Sequence, residues 1–295
     1  MCTRYFALVS GASRGFGKCV AEELTRQVIP RHALDIVLAA RSEDGLRSTA
    51  RAIHEIAGGL PYAEDITIRE EIEIVDLGAL ETLDARLAEL FSTVDARRYS
   101  RALLINNAAT LPYTGSSNDL PCLASLVTEI NLNVTSVIWV SSSFARIFGA
   151  HKQWDDPATS ADGNPGGLKT DEAEQGHRDG AYSGAYAQNV LVHISSSSAY
   201  KPREYWPSYC AGKAARQIYH RVLALEQENI GGLRVLNYAP GPMDTDMIPL
   251  LTKHPVNSGR EWKFVDSREM ASKFVSIALA NAFSSGGHVN FADEE

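Results

Sequence analysis

Residues 5–17 read YFALVSGASRGFG and decide the fold of this 295-residue chain. A short apolar strand, Tyr5–Ser10, leads directly into a turn with glycines at positions 11, 15 and 17, and helical sequence runs from about Lys18 to Gln27. Glycines let a backbone turn tightly and approach a pyrophosphate, while the N-terminus of the next helix offers amide donors and a partial positive charge. The spacing is Gly-x3-Gly-x-Gly rather than Gly-x-Gly-x-x-Gly. Its place between a strand and a helix nevertheless predicts a dinucleotide-binding turn.

Beyond this glycine turn (residues 11–17), short apolar strands alternate with amphipathic helices. The further strands are predicted at Asp35–Ala40, Glu71–Val75, Ala102–Ile105, Asn189–Ile194, Leu233–Tyr238 and His288–Phe291. The further helices are predicted at Glu43–Ala57, Leu80–Val94, about Cys122–Gly149, about Ser208–Asn229 and about Ser267–Ala282. Such alternation predicts an α/β fold of the Rossmann type, a doubly wound parallel sheet with helices on both faces. With 44% hydrophobic residues we expect one domain over residues 1–295.

Composition excludes several classes of protein. The net charge of −8 provides no basic stripe for the phosphates of a nucleic acid. We find no apolar run that approaches the roughly 18 residues of a membrane span, and the first strand is too short for a secretory signal. The four cysteines are scattered without Cys-x-x-Cys spacing, which argues against a metal site and suits a reducing compartment. We therefore expect a soluble cytoplasmic protein that acts on a small molecule.

Two stretches interrupt the alternation. His151–Gln188 is rich in Gly, Asp, Glu, Ala and Ser, and predicts a surface insertion between a helix and a strand. It is interpreted either as a linker without function or as a lid, because it leads to the strand that precedes Ser196. Met247–Lys263 contains two prolines and a glycine and is a second candidate lid, on the substrate side.

Residues 196–213, SSSAYKPREYWPSYCAGK, carry the predicted chemistry. Pro207 begins a helix, and spacing of four places Tyr209 and Lys213 on one face of it. A nearby ammonium lowers the pKa of a phenol from about 10, and a phenol tuned in this way can protonate a carbonyl oxygen as a hydride reaches the carbon. The hydroxyl of Ser196 can donate to the same oxygen. Taken alone, Tyr-x-x-x-Lys is also common on ordinary helix surfaces.

The end of the second strand indicates which nicotinamide cofactor is bound. An acidic residue there would accept from the ribose 2′-hydroxyl of NAD, but the strand ends in LAARS, with Arg41 at this place. Arg14 in the glycine turn adds a second guanidinium. Two guanidiniums suit a 2′-phosphate, which favours NADPH, although Glu43 and Asp44 reduce the local positive charge.

Together the glycine turn, Asn106-Asn107-Ala108, Ser196 and the Tyr209–Lys213 pair resemble the short-chain dehydrogenase/reductase family over nearly the whole chain. The stretches SGASRGFGK, LLINNA, SYCAGKAAR and RVLNYAPGPMDTDM (residues 234–247) are similar to pterin-reducing members of that family.

The resemblance implies roles for individual residues. Tyr209 would be the general acid, Ser196 would orient the carbonyl, Lys213 would hold the nicotinamide ribose, and Asn133 would help hold a water-linked proton path to Lys213. The implied cofactor-binding residues are Gly11, Ser13, Arg14, Gly15, Phe16, Gly17, Arg41, Ser42, Asp76, Leu77, Asn107, Tyr209, Lys213, Pro240, Gly241, Met243, Thr245, Asp246 and Met247. The implied substrate-binding residues are Ser196, Ser197, Trp206, Tyr209, Gly241, Met247 and Asn290. For Trp206, plain core packing is the alternative.

One departure from the resemblance concerns the substrate. Pterin-reducing members carry an aspartate in a His-Val-Asp-Phe setting that anchors the pterin ring, and here the stretch reads His288-Val-Asn290-Phe. An asparagine has no charge and holds a guanidine-like edge less firmly. Asp293 could substitute if the chain end bends back. Ala109 also replaces a glycine of the family motif.

By resemblance, the chain is expected to be an NADPH-dependent carbonyl reductase acting on the side-chain ketone of a pterin, in tetrahydrobiopterin biosynthesis. A homodimer or tetramer built from the two long helices is expected too. A reductase of small diketones is the first alternative, and a catalytically idle NADPH-binding sensor is the second. The complete Ser–Tyr–Lys set favours an enzyme.

Overall fold

The computed structural model describes residues 3–61, 66–111, 113–150, 188–245 and 263–291. The candidate lids therefore lie outside the described residues, except for Gln188 and Lys263 at their ends. Asp246 and Met247, two of the expected site residues, and Asp293 also lie outside them.

Seven parallel strands of the described residues form one sheet in the order β3-β2-β1-β4-β5-β6-β7. They are β1 Arg4–Ser10, β2 Ala33–Ala40, β3 Ile68–Ile74, β4 Arg101–Asn106, β5 Val190–Ile194, β6 Arg234–Ala239 and β7 His288–Asn290. The strand order reverses between β1 and β4, and ligands of open α/β sheets bind at the carboxyl side of such a switch point. The expected Rossmann-type α/β fold is confirmed.

Helices connect these strands. They are α1 Gly15–Val28, α2 Glu43–Gly58, α3 Leu80–Ser92, α4 Leu123–Ile130, α5 Ser136–Phe148, α6 Pro207–Glu228 and α7 Ser267–Ala280. The helix predicted over about residues 122–149 is interrupted by a π-helical turn, Asn131–Thr135, which joins α4 to α5. A strict helical period does not reveal such a turn, so the sequence prediction missed it.

Both faces of the sheet are covered, as the continuous apolar strands predict. In β2 every residue is buried, and its side chains alternate between two cores. Leu34, Ile36 and Leu38 pack with residues of α1, α2 and α7, while Val37 and Ala39 pack with residues of α3 and α5. Burial on both faces explains why this strand lacks the polar alternation of a half-exposed strand.

The helical stretch Leu123–Phe148 corrects one expectation from composition. By length and composition it could cross a membrane, and it is the one such helix among the described residues. Small polar residues scattered through this stretch hide its apolar length in the sequence. The apolar window is 28% buried, and one face of α5 packs Val137, Val140, Phe144 and Phe148 into the protein.

Candidate active site

The glycine turn has the geometry of a phosphate cradle. Gly11 and Gly15 have φ of 68° and 54°, in the left-handed region that favours glycine. A Cβ on Gly17 would lie 2.3 Å from the carbonyl oxygen of Gly11, so a side chain cannot be placed there without displacing the turn. No side chain in the described part of the chain caps the first turn of α1, and that turn itself contains no acidic residue. Backbone amides at this helix N-terminus are therefore available to an anionic group.

The side chain of Asn107 stabilises the glycine turn through hydrogen bonds to its backbone. Its Nδ2 donates to the carbonyl oxygens of Ser10 (3.0 Å) and Gly11 (3.3 Å). The hydroxyl of Ser10 in turn accepts from the backbone amides of Asn107 and Ala108, both at 3.1 Å. The side chain of Asn107 thus faces the backbone of the turn. The expected contact with the cofactor ribose stays a prediction.

The ends of β2 and β3 bring the expected adenosine-side residues together. Arg41 lies 3.8 Å from the carboxylate of Asp76, and the two side chains are 69% and 48% exposed. Asp76 also accepts from the amide of Gly78 at 2.9 Å, and Ser42 caps α2 by accepting from the amide of Gly45 at 3.2 Å. An exposed guanidinium at this edge is placed to meet a phosphate. Asp76 offsets part of its charge.

Other expected cofactor residues occupy both sides of the glycine turn. The side chain of Phe16 is buried against Phe274, with ring centroids 6.0 Å apart, so any cofactor contact of Phe16 is limited to its backbone. Leu77 is likewise buried in the core. A Cβ placed on Gly15 would lie 3.7 Å from Cγ2 of Thr245, so the loop after β6 reaches the glycine turn. That loop is held by a β-bridge between Met243 and Val265.

Ser13 lies at the N-terminal end of α2, where a Cβ on Gly45 would come within 2.8 Å of Ser13 Cβ. Gly241 turns the chain after the buried Pro240 with φ of 80°. A Cβ on Gly241 would meet no atom of residues 3–61, 66–111, 113–150, 188–245 or 263–291 within 4 Å.

The residues expected to carry catalysis meet at the carboxyl end of β5. Ser196 lies next to the phenol of Tyr209, whose pKa its hydroxyl acts to lower, and it caps a short 3₁₀ turn by accepting from the amide of Ser198 at 3.1 Å. Tyr209 is 8% exposed and Lys213 is 4% exposed. Nζ of Lys213 lies 5.6 Å from the centre of the Tyr209 ring and donates to the carbonyl oxygen of Ile194 at 2.7 Å. Hydroxyls of two neighbouring side chains at this edge of the sheet can both serve one carbonyl oxygen.

The pKa of Tyr209 differs from the expectation. Burial raises it to about 12, while the positive charge of Arg216 and the hydrogen bond from Ser196 act in the lowering direction. Lys213 does not act on it as expected, since burial and Arg216 hold the pKa of Lys213 well below its usual value. The predicted lowering of the Tyr209 pKa by Lys213 is therefore wrong for this structure, because spacing along a helix does not account for desolvation.

Arg216 is the functional candidate that the sequence analysis missed. Its side chain is fully buried, and it donates to the carbonyl oxygens of Asn106 (3.0 Å) and Ala108 (3.1 Å). Burial lowers its pKa to about 10, so it remains charged at neutral pH. The signal was available, because positions 209, 213 and 216 share one face of a helix.

Asn133 lies in the π-helical turn and pairs with a backbone segment. Its Oδ1 accepts from the amide of Thr110 and its Nδ2 donates to the carbonyl oxygen of the same residue, both at 2.9 Å. This pairing fixes the loop after β4 beside α6, where a Cβ on Gly212 would lie 3.5 Å from Asn133 Cβ. Both polar atoms of the side chain are engaged, and its part in a proton path stays a prediction.

Aromatic and polar residues surround the carbonyl side of the site. Trp206 is buried and meets Tyr209 edge-on, with ring centroids 6.1 Å apart at 88°, and both pack with Leu111. This packing agrees with either interpretation of Trp206. The hydroxyl of Ser197 accepts from Nη2 of Arg203 at 3.2 Å.

Asn290, the last residue of β7, lies on the same side of the site. Its Nδ2 donates to the hydroxyl of Tyr200 at 3.2 Å, and the Tyr200 ring meets His288 edge-on at 4.9 Å. Asn290 thus lies at the carboxyl edge of the sheet with an aromatic partner. Among the described residues, no group of three His, Cys, Asp or Glu side chains could hold a metal ion.

Comparison with known structures supports the fold. A short chain dehydrogenase from Burkholderia cenocepacia in complex with NADP superposes with a TM-score of 0.64 at 20% identity, covering 96% of this chain and 94% of that one. A short chain dehydrogenase from Salmonella enterica superposes with a TM-score of 0.66 at 18% identity, covering 98% and 96%.

Comparison with curated sequences extends this to the family. Residues 186–255 match a family model described as short chain dehydrogenase. Sepiapterin reductase of Bos taurus is 31% identical over 99% of this chain and 96% of its own length, and that of Mus musculus is 31% identical over 97% and 96%. Benzil reductase of Bacillus subtilis is 24% identical over 81% of this chain and 75% of its own length. The chain belongs to the short-chain dehydrogenase/reductase family of oxidoreductases, close to the sepiapterin reductases.

Proposed function

We propose that the chain is an NADPH-dependent carbonyl reductase that acts on the side-chain ketone of a pterin such as sepiapterin. The observation that carries this proposal is the placement of Ser196 beside Tyr209, whose side chain is buried next to Lys213 at the carboxyl edge of the sheet. The pair lies across the switch point from the glycine turn, where a nicotinamide cofactor is expected.

The residues present fit this cofactor. The glycine turn offers the uncapped backbone amides at the N-terminus of α1 to a pyrophosphate, and a Cβ on Gly17 would collide with the backbone of Gly11 and displace this turn. Arg41 would meet the 2′-phosphate, with Arg14 from the glycine turn as a second cation, and Ser42 borders the same end. When bound, NADPH supplies a hydride to the carbonyl carbon.

The chain's own residues would orient and protonate the substrate. Ser196 would donate to the carbonyl oxygen and Tyr209 would transfer its phenolic proton to that oxygen. With a pKa of about 12, the phenol is protonated at neutral pH and is suited to act as an acid. The charge of Arg216 and the hydrogen bond from Ser196 would then stabilise the phenolate. Burial of Tyr209 and Lys213 keeps this transfer away from bulk water.

The pterin assignment is supported by the sepiapterin reductases, which match over nearly the whole chain at 31% identity. It is supported also by the position of Asn290, near the site at the end of β7, with Tyr200 beside it. A product alcohol on a pterin side chain would place the enzyme in tetrahydrobiopterin biosynthesis.

A second candidate substrate class is small diketones. Asn290 carries no charge to hold a guanidine-like ring edge, and its amide already donates to Tyr200. The similarity to benzil reductase, whose name denotes a diketone substrate, points the same way.

One assay separates these candidates. Purified protein is mixed with NADPH and either sepiapterin or 2,3-butanedione, and absorbance is followed at 340 nm. Oxidation with sepiapterin supports the pterin reductase. Oxidation of NADPH with 2,3-butanedione but not with sepiapterin supports the diketone reductase. If neither carbonyl compound oxidises NADPH while the cofactor still binds, the chain is a cofactor-binding sensor and the proposal fails.

We also infer a homodimer or tetramer formed through α4–α5 and α6. Leu123 is 75% exposed on the first of these helical stretches, and Ile218 and Leu225 are 57% and 63% exposed on the second. Apolar side chains in such positions favour association. Light scattering of the purified chain measures its mass directly, and a monomer at micromolar concentration would contradict this inference.

A further inference from the structure

Tyr205 has a backbone conformation that an aromatic residue rarely adopts. Its φ is 67°, and the one other non-glycine residue with positive φ among the described residues is Asn281, at 54°. Asparagine tolerates the left-handed region, whereas a bulky side chain there is a strained outlier. A glycine would fit position 205 without strain.

The surrounding segment holds Tyr205 in this conformation. Its carbonyl oxygen accepts from the amide of Gly115 at 2.9 Å, which ties residues 200–206 to the loop after β4. On the preceding side, Arg203 donates to Ser197, and its carbonyl oxygen accepts from the amide of Trp206 at 3.3 Å. Strained residues persist where neighbours fix them in this way, and they cluster at functional sites.

The position of Tyr205 suggests what its aromatic side chain does. Tyr205 is partly buried and packs against the cluster formed by Leu111, Trp206 and Tyr209. The chain segment that carries it runs from Ser196 to Tyr209, the two residues whose hydroxyls would contact the substrate oxygen. The packing of Tyr205 against the cluster that contains the Tyr209 ring puts its side chain on the same side of the site as that phenol.

We propose that Tyr205 determines specificity by forming, with Trp206, an aromatic wall against a planar conjugated ring attached to the reacting ketone. The proposal rests on the carbonyl reductase function proposed above and names its substrate class as aryl or heteroaryl ketones rather than aliphatic ones. Aromatic rings attract one another through stacked or edge-to-face contacts beyond simple area burial. Glycine or alanine at position 205 would remove that contact.

A matched pair of substrates isolates the contribution of the substrate's ring to specificity. 1-Phenyl-1,2-propanedione and 2,3-butanedione share the adjacent carbonyls and differ by a phenyl group in place of a methyl group. We expect wild-type protein to favour the phenyl compound in kcat/KM. Tyr205→Ala and Tyr205→Gly should each reduce that preference by about fivefold, which corresponds to one aromatic contact, and Tyr205→Phe should retain it.

Thermal stability tests the strain separately from activity. Both Tyr205→Ala and Tyr205→Gly lose the ring, but only the second loses the strained Cβ. The glycine variant should therefore melt higher than the alanine variant, by about 2 °C for a chain of this size. Asn281→Gly is the control, because it alters the other left-handed residue away from the site and should leave the substrate preference unchanged.

The proposal is overturned if the preference for the phenyl compound is the same in wild type, alanine and glycine variants, or if the glycine variant melts no higher than the alanine variant. A binding measurement separates this result from failure of the reductase function. If wild type turns over neither diketone, calorimetric titration of the NADP⁺-loaded protein with the phenyl compound decides. If the phenyl compound binds more weakly to Tyr205→Ala and Tyr205→Gly than to wild type, the aromatic wall is supported and the carbonyl reductase function is refuted. Absence of binding to wild type overturns both.

Discussion

The guanidinium of Arg216 lies on the same face of α6 as the phenol of Tyr209, and it is the main charge that lowers the pKa of that phenol. Burial opposes it and raises the pKa to about 12. Lys213, between the two on the same face, instead donates to the carbonyl oxygen of Ile194. The cation that acts on the Tyr209 phenol is therefore a turn further along the helix than Tyr-x-x-x-Lys spacing suggests.

Replacing Arg216 by methionine should raise the pKa of Tyr209 further. Oxidation of an alcohol substrate requires the phenolate, so its rate at a fixed pH of 9 should fall about tenfold for each unit of pKa rise. Arg216→Lys keeps a positive charge, so its oxidation rate at pH 9 should fall less. The pH profile of the oxidation rate checks this, because loss of the bonds to Asn106 and Ala108 alone would lower activity without moving the profile.

Arg41→Ala should weaken NADPH binding far more than NADH binding. A hydrogen bond to a charged group contributes about 1.5–3 kcal/mol, so we expect a loss of at least about tenfold for NADPH alone. Fluorescence titration with each cofactor measures it. Arg47→Ala is the matched control, since Arg47 pairs with Glu43 on the surface of α2. Equal losses for the two cofactors would refute a contact between Arg41 and the 2′-phosphate.

Asn290→Asp should tighten binding of a pterin. A carboxylate at this position can hold a guanidine-like ring edge with charge-assisted hydrogen bonds, and the Tyr200 hydroxyl can reverse its role and donate to it. We expect KM for sepiapterin to fall by about tenfold, which corresponds to one such bond. Tyr200→Phe controls for loss of the existing contact. An unchanged KM would mean that the ring is held elsewhere.

The elements themselves were largely predictable from the sequence. Apolar runs such as β2, and a helix beginning at Pro207, follow from period and capping alone, and their boundaries agree within a few residues. The meeting of Ser196 with Tyr209 also follows once both are placed at the carboxyl edge of a parallel sheet.

Effects that depend on tertiary packing were not predictable in this way. Desolvation of Tyr209 and the charge of Arg216 arise from burial, which residue spacing does not specify. The π-helical turn that holds Asn133 against Thr110 and the left-handed conformation of Tyr205 both break local preferences. Such conformations are maintained by contacts distant in sequence.

The fully buried His220 should make stability depend on pH. Burial lowers its pKa to about 3, and its ring stacks on the buried His193 at 4.9 Å. In the unfolded chain this histidine takes up a proton near pH 6.5, so the folded state loses stability as pH falls below that value. His220→Phe keeps the stack and removes the titrating group.

Urea denaturation at pH 7.5 and 5.5 measures this effect. We expect the free energy of unfolding of wild type to fall between these values by about 1.3 kcal/mol more than that of His220→Phe. Equal falls in the two proteins would show that His220 does not remain neutral in the folded state.

Tyr209→Phe tests the central claim most directly, because it removes one oxygen atom and leaves the packing against Trp206 and Leu111. The rate of NADPH oxidation by a carbonyl substrate is followed at 340 nm, and NADPH affinity is measured in parallel. We expect a loss of turnover of at least about 10²-fold, with cofactor affinity retained. Turnover equal to wild type would contradict it and remove Tyr209 from the mechanism.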